Sequence, residues 1–233
     1  MHSAACWLLA SIPGFAPPLT AAVTADEGWS LVDQGQIAGE DYSLYERNVA
    51  GSNTNAYRAE CVFTASTQEV FDAVMQVVVS PSQAPEGQHR ELVRTGADDF
   101  VVHTRVDIPL ASDRDVNIHI ERWQDEDSGA LGLVWHATQD EGPDAKDGVV
   151  RMPATEGFWR FVPIGDGRTR VIYQNYTDIG GHIPAWVVGP MLRDETVAQL
   201  GVLRRMVERS RQEVDSHPSP RPPGTRSAVS PAR

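Results

Sequence analysis

The stretch from Gly157 to Leu203 constrains the fold of this 233-residue chain more than any other part of it. A strand is predicted from Phe158 to Val162, and Gly165-Asp166-Gly167 supplies a hairpin turn after it. From Thr169 to Tyr176 the residues alternate between two faces, because successive side chains of a strand point in opposite directions. This stretch therefore predicts an antiparallel hairpin with one buried face.

A long helix is predicted to follow this hairpin. Gly180 and Gly181 break the second strand, and Pro184 suits a first helical turn, where proline removes no hydrogen bond that the helix needs. Residues suited to a core then recur at three- and four-residue steps, as on one face of a helix: Leu192, Thr196, Leu200, Leu203 and Val207. We therefore expect a long C-terminal helix laid across a sheet.

The rest of the chain predicts further strands and one shorter helix. The segment Trp29–Val32 suggests a short helix or turn, and residues 83–90 a loop. Ser66 or Thr67 caps a helix that ends at Ser80-Pro81. Strands are predicted at Tyr42–Arg47, Tyr57–Phe63, Glu91–Thr95, Phe100–Asp107, Asp115–Trp123, Ala130–His136 and Val149–Glu156.

The order of these elements predicts the fold class. Strands and helices do not alternate as βαβ units, which excludes the parallel α/β folds. The sequence therefore predicts an α+β fold in which a curved antiparallel β-sheet wraps around the long C-terminal α-helix. Because such a sheet and helix do not close completely, we expect an elongated internal apolar cavity between them.

Composition is consistent with one globular domain over residues 26–215. The hydrophobic fraction of 41% supports one sizeable core. The formal net charge of −12 argues against nucleic acid as a partner, since phosphates require a basic footprint. It also argues against a strong standing attraction to anionic lipid surfaces. No obligate protein partner is evident in the sequence.

The two ends of the chain are predicted to lie outside this domain. Residues 1–25 contain an apolar centre, Ala4 to Ile12, and small residues before Asp26, which is typical of a cleaved secretory signal peptide. An uncleaved, disordered N-terminal segment is the alternative, because no lysine or arginine precedes the apolar run. We therefore expect export to a bacterial periplasm, with a cytoplasmic location as the alternative. Residues 216–233 are rich in proline, serine and arginine, which predicts a disordered tail.

Neither a metal nor a cofactor is predicted. The histidines are scattered, and no spacing of cysteine and histidine matches a zinc site. Cys61 lies in an alternating strand and is interpreted as a small buried hydrophobe. The sequence contains no nucleophile elbow, phosphate-binding loop or paired-histidine metal motif, so no catalytic residue is assigned.

The order and spacing of several residues resemble those of a known family. These residues are Trp159, Pro163, Thr169, Val171, Tyr173, Asp178, Gly180, Gly181, Pro184 and Trp186. Upstream, Pro109 precedes Asp113-Arg114-Asp115 at the start of a predicted strand. This pattern resembles a START domain of bacterial type, the lipid-transfer module of the helix-grip superfamily, over roughly Asp26 to Asp215. One departure is the corner Asp-Ile-Gly-Gly, where bacterial relatives often carry a proline second.

The resemblance implies a protein that binds, and is able to transfer, a lipid or other hydrophobic small molecule in its cavity without catalysis, with transient membrane contact. Trp135, Trp159, Tyr173, Trp186 and Met191 are the candidates for the cavity lining. Aromatic side chains offer large apolar areas, and methionine adapts to irregular ligands. The alternative is that each of these residues fills the core.

Two arginines are candidates for contact with a polar ligand group. The guanidinium of Arg114 suits carboxylate, phosphate or hydroxyl groups. An ion pair with a neighbouring strand or with Asp178 is the alternative. Arg105 shares a strand face with His103, two residues away, and a solvated outer face is the alternative there. Gly180-Gly181 would let a gating segment move, or they form only a tight corner.

Two other classes of function remain open. Related helix-grip proteins include polyketide cyclases and aromatases, and such an enzyme would need His103, Arg105, Arg114 and Tyr173 to converge inside the cavity. An interaction module with a vestigial cavity would instead have an interior filled by bulky side chains.

Overall fold

The computed structural model describes residues 28–80, 87–108, 111–181 and 183–216. Their elements in chain order are β1 (Ser30–Ile37), β2 (Glu40–Asn48), β3 (Asn55–Phe63), α1 (Thr67–Val79), β4 (Gln88–Thr95), β5 (Asp99–Val106), β6 (Arg114–Asp125), β7 (Ala130–Thr138), β8 (Val150–Arg151), β9 (Ala154–Pro163), β10 (Thr169–Asp178) and α2 (Ala185–Ser216). The predictions for residues 1–25, residues 217–233 and Pro109 fall outside the described residues. Ser216, predicted to begin the tail, is the last residue of α2.

The strands form one curved sheet in the order β1-β2-β3-β10-β9-β7-β6-β5-β4. All pairs in this order are antiparallel, and the short β8 pairs with β6 in parallel. Because β3 lies beside β10, a strand from the N-terminal part of the chain pairs with its last strand. The helix α2 packs against α1, β3 and β10. The predicted α+β arrangement is therefore confirmed.

The C-terminal hairpin and helix form as the sequence predicts. In the β9–β10 hairpin Tyr173 lies opposite Trp159, and the turn closes with a 3.0 Å hydrogen bond from the Arg168 N–H to the Gly165 carbonyl. Asp166 in this turn has φ of 52°, a left-handed conformation that aspartate tolerates in tight turns. The predicted core face of α2 is buried: Leu192, Thr196, Leu200, Leu203 and Val207.

The predicted N-terminal cap of α1 is also formed. The Ser66 hydroxyl accepts a 3.3 Å hydrogen bond from the Glu69 N–H, and the Glu69 carboxylate accepts a 2.8 Å bond from the Ser66 N–H. This reciprocal pair is a capping box, which satisfies two backbone donors at the start of a helix. The buried face of α1 carries Val70, Ala73, Val74 and Val77.

The prediction of a helix or turn at Trp29–Val32 is wrong, because residues from Ser30 onward form β1. This strand pairs with β2 through a tight turn at Ala38 and Gly39, where both φ angles are positive, 49° and 83°. Most side chains of β1 are exposed or partly exposed. An edge strand of this kind shows no clear alternation of apolar and polar residues, so pairing with β2 decides its conformation.

Two other boundaries differ from the predictions. The strand predicted at Val149–Glu156 is interrupted at Met152-Pro153, because proline has no N–H to continue a ladder. β8 consequently pairs with β6, whereas β9 pairs with β7 and β10. The strand β4 begins at Gln88, inside the segment predicted as a loop, and this earlier start brings Arg90 into the sheet.

Candidate functional site

A cavity of about 580 Å³ lies between the inner face of the sheet and the two helices. Its volume is in the range of sites that bind small molecules, about 300–1,000 Å³. Most of the apolar lining comes from seven elements: Val74 and Val77 of α1, Val102 and Val106 of β5, Val116, Ile118 and Ile120 of β6, Leu133 and Trp135 of β7, Trp159 of β9, Tyr173 of β10, and Met191 and Leu192 of α2. This cavity therefore contradicts the alternative of an interaction module whose interior is filled by bulky side chains.

Strand alternation selects which residues line this cavity. In β5 the inward residues are Val102, Thr104 and Val106, and the residues between them point to the outer face. At Gly157 of β9 a Cβ atom would lie 2.5 Å from the Trp135 ring. Glycine at this position therefore leaves room for the indole against the sheet.

Three aromatic residues form one wall of the cavity. The Tyr173 ring lies 4.3 Å from the Trp159 ring and 5.7 Å from the Trp135 ring, measured between centroids. Tyr173 is 7% exposed, and burial raises the pKa of its phenol, so the hydroxyl stays protonated. Among the described residues this hydroxyl has no hydrogen-bond partner. It is therefore free to bond a ligand.

Arg90 and Glu195 are polar residues of the lining that the sequence analysis missed. Arg90 Nη1 donates a 3.1 Å hydrogen bond to the Val77 carbonyl, and Nη2 donates a 3.3 Å bond to Gln88 Oε1. Burial lowers the pKa of Arg90, while Tyr173 and Glu195 act in the opposite direction. The Glu195 carboxylate accepts hydrogen bonds from Gln88 at 3.4 Å and from Gln199 at 2.5 Å.

One sequence signal could have found Glu195. Met191, Glu195 and Gln199 follow one another at four-residue steps, so they share one face of a helix. Met191 was already a candidate for the lining, and all three residues line the cavity. No comparable signal marks Arg90, because its place depends on the start of β4.

Arg114 lines the cavity and is only 3% exposed. Its guanidinium donates to the Ser112 carbonyl and, at 3.4 Å each, to the carbonyls of Ile179 and Gly180. No carboxylate of the described residues lies within 4.0 Å of it, so the alternative of an Arg114–Asp178 ion pair is not formed. Arg114 instead ties the start of β6 to the glycine corner through backbone carbonyls. Asp178 accepts a 2.9 Å bond from the Gly180 N–H.

The structure places five of the seven candidate residues in the cavity lining: Arg114, Trp135, Trp159, Tyr173 and Met191. Trp186 is 79% exposed and lies outside the lining, because the first turn of α2 points it into solvent. Arg105 also lies outside, on the outer face of β5, where its Nε donates a 3.1 Å hydrogen bond to Asp113. The expectation that these two residues line the cavity is therefore wrong.

His103 shares the outer face of β5 with Arg105. Its Nδ1 lies 2.8 Å from Asn117 Oδ1, and its Nε2 lies 4.0 Å from Asp115. The four polar residues that an enzyme was expected to bring together are thus divided between the two faces of the sheet. Only Arg114 and Tyr173 of that set line the cavity.

The cavity opens to solvent beside the first half of α2. Met191 and Asp194 of α2 line the cavity and are exposed, as is Asp107 across the gap at the end of β5. Trp186 and Val187, one turn earlier in α2, are 79% and 41% exposed. An apolar helix surface therefore borders the mouth of the cavity.

Other features of the described residues point to no metal site and no membrane-spanning helix. They contain no group of three or more histidine, cysteine, aspartate or glutamate residues able to hold a metal ion. None of their helices is long and apolar enough to cross a membrane. Cys61 is buried as predicted, and burial raises the pKa of its thiol.

Comparison with known proteins relates this architecture to lipid-transfer domains. No protein-family model matches the chain. In sequence it is 28% identical over 196 residues to an uncharacterized protein of Pseudomonas aeruginosa, across 82% of this chain and 95% of that protein. The STAR-related lipid transfer protein of Xanthomonas axonopodis superposes with a TM-score of 0.67 at 26% identity, covering 78% of this chain and 99% of that chain. Human StAR-related lipid transfer protein 5 superposes with a TM-score of 0.68 at 20% identity, covering 83% and 92%.

These likenesses, the sheet order and the helix across the sheet define the class of the fold. The chain has the START, or helix-grip, fold. The resemblance carried by the C-terminal hairpin and the glycine corner is confirmed at this level.

Proposed function

We propose that this protein binds a lipid or another hydrophobic small molecule in the cavity and carries it without chemical change. The observation that supports this most strongly is the cavity itself, about 580 Å³ with a mostly apolar wall and an opening beside α2. Removal of an apolar ligand from water releases free energy in proportion to the area buried, about 25 cal/mol per Å². The structural relatives that are named for lipid transfer support the same function.

The positions of the polar residues favour a carrier over an enzyme. A cyclase or aromatase mechanism needs acid and base groups within hydrogen-bonding reach of one substrate. His103 and Arg105 lie on the outer face of the sheet, and the donors of Arg114 bond to backbone carbonyls. The catalytic alternative thereby loses two of its four residues.

Transfer between membranes would use the apolar surface at the cavity mouth. Trp186, Val187 and Met191 are exposed on the first turns of α2, and Met191 also lines the cavity. Tryptophan suits the boundary between lipid and water, since its ring is apolar and carries one polar N–H. With a net charge of −12, contact with a membrane would depend on this apolar surface rather than on attraction to anionic lipids.

Mass spectrometry of the purified protein tests the carrier function directly. We expect a lipid-sized adduct under native conditions that is released intact on denaturation. Incubation with a broad lipid extract should restore this adduct to protein that has been stripped of lipid. An apo mass after that incubation, or a chemically altered ligand after release, would contradict the proposal.

Vesicle assays test the transfer step separately. Trp186→Ala should slow the movement of the bound lipid between neutral vesicles without changing the amount that the protein binds. Ile164→Ala is a matched control, because Ile164 is 41% exposed in the β9–β10 turn, at the end of β10 away from the glycine corner. Equal transfer rates for Trp186→Ala and the unaltered protein would contradict a role of this surface.

We also propose export, with residues 1–25 as a cleaved signal peptide. The support is the apolar centre of this segment and the small residues before Asp26. The N-terminal sequence of the protein recovered from a bacterial periplasm tests this. A protein that begins at Asp26 is the expected result, and an intact cytoplasmic chain would contradict it.

A further inference from the structure

The polar groups inside the cavity restrict which amphipathic molecules would fit it. We propose that the ligand is a single-chain amphiphile with a carboxylate head group, bound between the Arg90 guanidinium and the Tyr173 hydroxyl. This inference rests on the proposed carrier function and adds a head-group class, a chain number and an orientation. Two independent observations support it: the cavity volume and the unused donors of Arg90 and Tyr173.

The volume limits the number of chains. At the ~30 Å³ that a water-sized group occupies in a liquid, about 580 Å³ corresponds to roughly 20 such groups. One acyl chain of about 16 carbons with its head group matches this number, whereas a phospholipid with two such chains exceeds it about twofold or more. The cavity therefore favours a single chain.

The guanidinium of Arg90 forms part of the cavity wall. Its hydrogen bonds go to a backbone carbonyl and to the Gln88 amide, and no carboxylate of the described residues lies within 4.0 Å of it. A largely buried cation without a counter-ion in direct contact is costly, because it has lost water and here gains only a longer-range attraction to Glu195. A ligand carboxylate would supply that counter-ion and accept two parallel N–H bonds from the planar fork.

Tyr173 adds a second donor to the lining, close enough to Arg90 for the two to interact electrostatically. Its hydroxyl has no partner among the described residues, and the side chain is more than nine-tenths buried. The phenol is protonated because burial raises its pKa, so it donates to an acceptor placed near Arg90. Two donors that face the same space select an acceptor head group over a donor such as an ammonium group.

The acyl chain would then lie along the apolar residues of β5, β6 and β7. Val102, Ile118 and Trp135 line this part of the cavity. Arg114 is not an equal site for the head group, because its guanidinium already bonds to three backbone carbonyls, two of them at the glycine corner. The head group is therefore placed at Arg90.

Glu195 allows a test in which the direction of the change in affinity depends on the head group of the ligand. Its carboxylate shares the cavity lining and is held by the amides of Gln88 and Gln199. A second carboxylate nearby would be repelled by it, whereas a hydroxyl or ammonium head group would be attracted. Replacement of Glu195 by glutamine should therefore strengthen the binding of a carboxylate and weaken that of an alcohol or amine.

The experiment compares palmitate with hexadecanol, which has the same chain and an uncharged head group, by calorimetric titration of lipid-free protein below the micelle concentration. The unaltered protein should bind palmitate about tenfold more tightly, the range expected for a charge-assisted hydrogen bond. Arg90→Gln should abolish this preference, Tyr173→Phe should lower it about threefold, and Glu195→Gln should raise it about threefold. Arg105→Gln, on the outer face, is the matched control and should leave the preference unchanged.

The ratio of the two affinities separates recognition from structural damage, since a partly unfolded variant loses both ligands alike. Equal affinity of the unaltered protein for both ligands would overturn the carboxylate assignment and leave the carrier function intact. A preference that survives Arg90→Gln, or one that falls in Glu195→Gln, would also overturn it. Binding of neither ligand, nor of any lipid in the extract, would overturn the carrier function itself.

Discussion

The two faces of β5 and β6 use their polar residues in different ways. On the outer face, polar side chains bond to one another: His103 with Asn117, Arg105 with Asp113, Arg151 with Asp115, and His119 with Glu141. On the inner face the same strands present mainly valine and isoleucine toward the cavity. The polar residues that line the cavity from other strands, above all Arg90 of β4 and Tyr173 of β10, keep unused donors.

This difference separates residues that stabilise the fold from residues that are available to a ligand. The outer network holds a loop against the sheet, since Asn117 and Arg151 donate to the Pro143 carbonyl at 3.0 and 2.9 Å. In that loop Gly142 has φ of 93°, and a Cβ atom there would lie 2.6 Å from Asn117. Polar groups that form hydrogen bonds with one another contribute to stability, whereas donors in a cavity that lack a protein acceptor are available to bond a ligand.

The largest effect is expected from the buried ion pair of the outer network. Asp115 is 2% exposed and accepts two bonds from Arg151, at 2.9 and 3.0 Å. Asp115→Asn leaves the arginine without its counter-ion and should lower the free energy of unfolding by about 3–5 kcal/mol, measured by urea denaturation. Ligand affinity of the folded protein should not change.

Asp113→Asn is the control for this prediction. Asp113 pairs with Arg105 closer to solvent, where water and salt screen the ion pair, so Asp113→Asn should lower the free energy of unfolding much less than Asp115→Asn. If both variants lose the same amount of stability, the outer face is not the stabilising network described above.

The second-largest effect is expected on ligand affinity, from a substitution that fills the cavity. Ile118 points into the cavity from β6, and Ile118→Trp should fill the space that an acyl chain occupies. We expect ligand affinity to fall on the order of a hundredfold, about 2.7 kcal/mol. The cost of overpacking, about 1–3 kcal/mol, is offset in part by the filled cavity.

Glu121→Trp is the matched control, because Glu121 lies on the outer face of the same strand. Native mass spectrometry should show a ligand on this variant and none on Ile118→Trp. A ligand retained by Ile118→Trp at full occupancy would place the binding site elsewhere.

Local sequence patterns predicted most of the fold. The hairpin of β9 and β10, the cap of α1 and the buried face of α2 follow from turn residues and periodicity that short segments contain. Strand β1 could not be predicted in this way, because its residues are mostly exposed and its conformation depends on β2. The resemblance at the glycine corner then selected one fold among those compatible with these elements.

The site was predicted less completely, since it depends on how the elements are rotated and paired. Trp186 lies five positions before Met191, and at about 100° per residue the two side chains are about 140° apart around the helix, so they cannot both line the cavity. This geometry was available in the sequence. The position of Arg90 in the cavity could not be predicted from the sequence, because it depends on the pairing of β4 with β5, in which Arg90 lies opposite Thr104.

A smaller effect is expected where a satisfied ion pair lies in solvent. The Glu69 carboxylate accepts hydrogen bonds from Arg211 at 2.9 Å and from Ser66, and these lower its pKa from 4.5 to about 2. The folded state therefore gains stability from this carboxylate above pH 4.5, and loses it as the pH falls toward 2. Because the side chain is 43% exposed, solvent screening limits the effect to about 1 kcal/mol.

Urea denaturation of the protein and of Glu69→Gln measures this contribution. The difference in their free energies of unfolding should be present at about pH 7 and shrink by about pH 3, since only the carboxylate titrates. A difference that stays constant with pH would show that the pair with Arg211 does not stabilise the contact between α1 and α2.

The smallest expected change in stability is that of Tyr173→Phe, and it tests whether polar groups on the inner face of the sheet are free of structural hydrogen bonds. Tyr173→Phe removes a buried hydroxyl, which ordinarily costs about 1 kcal/mol when a hydrogen bond is lost. The Tyr173 hydroxyl has no partner among the described residues, so the lipid-free variant should unfold within about 0.5 kcal/mol of the unaltered protein. The same substitution should weaken the binding of palmitate. A loss of stability comparable to that of a broken hydrogen bond would place Tyr173 among the structural residues, as on the outer face, and would remove the second donor from the ligand site.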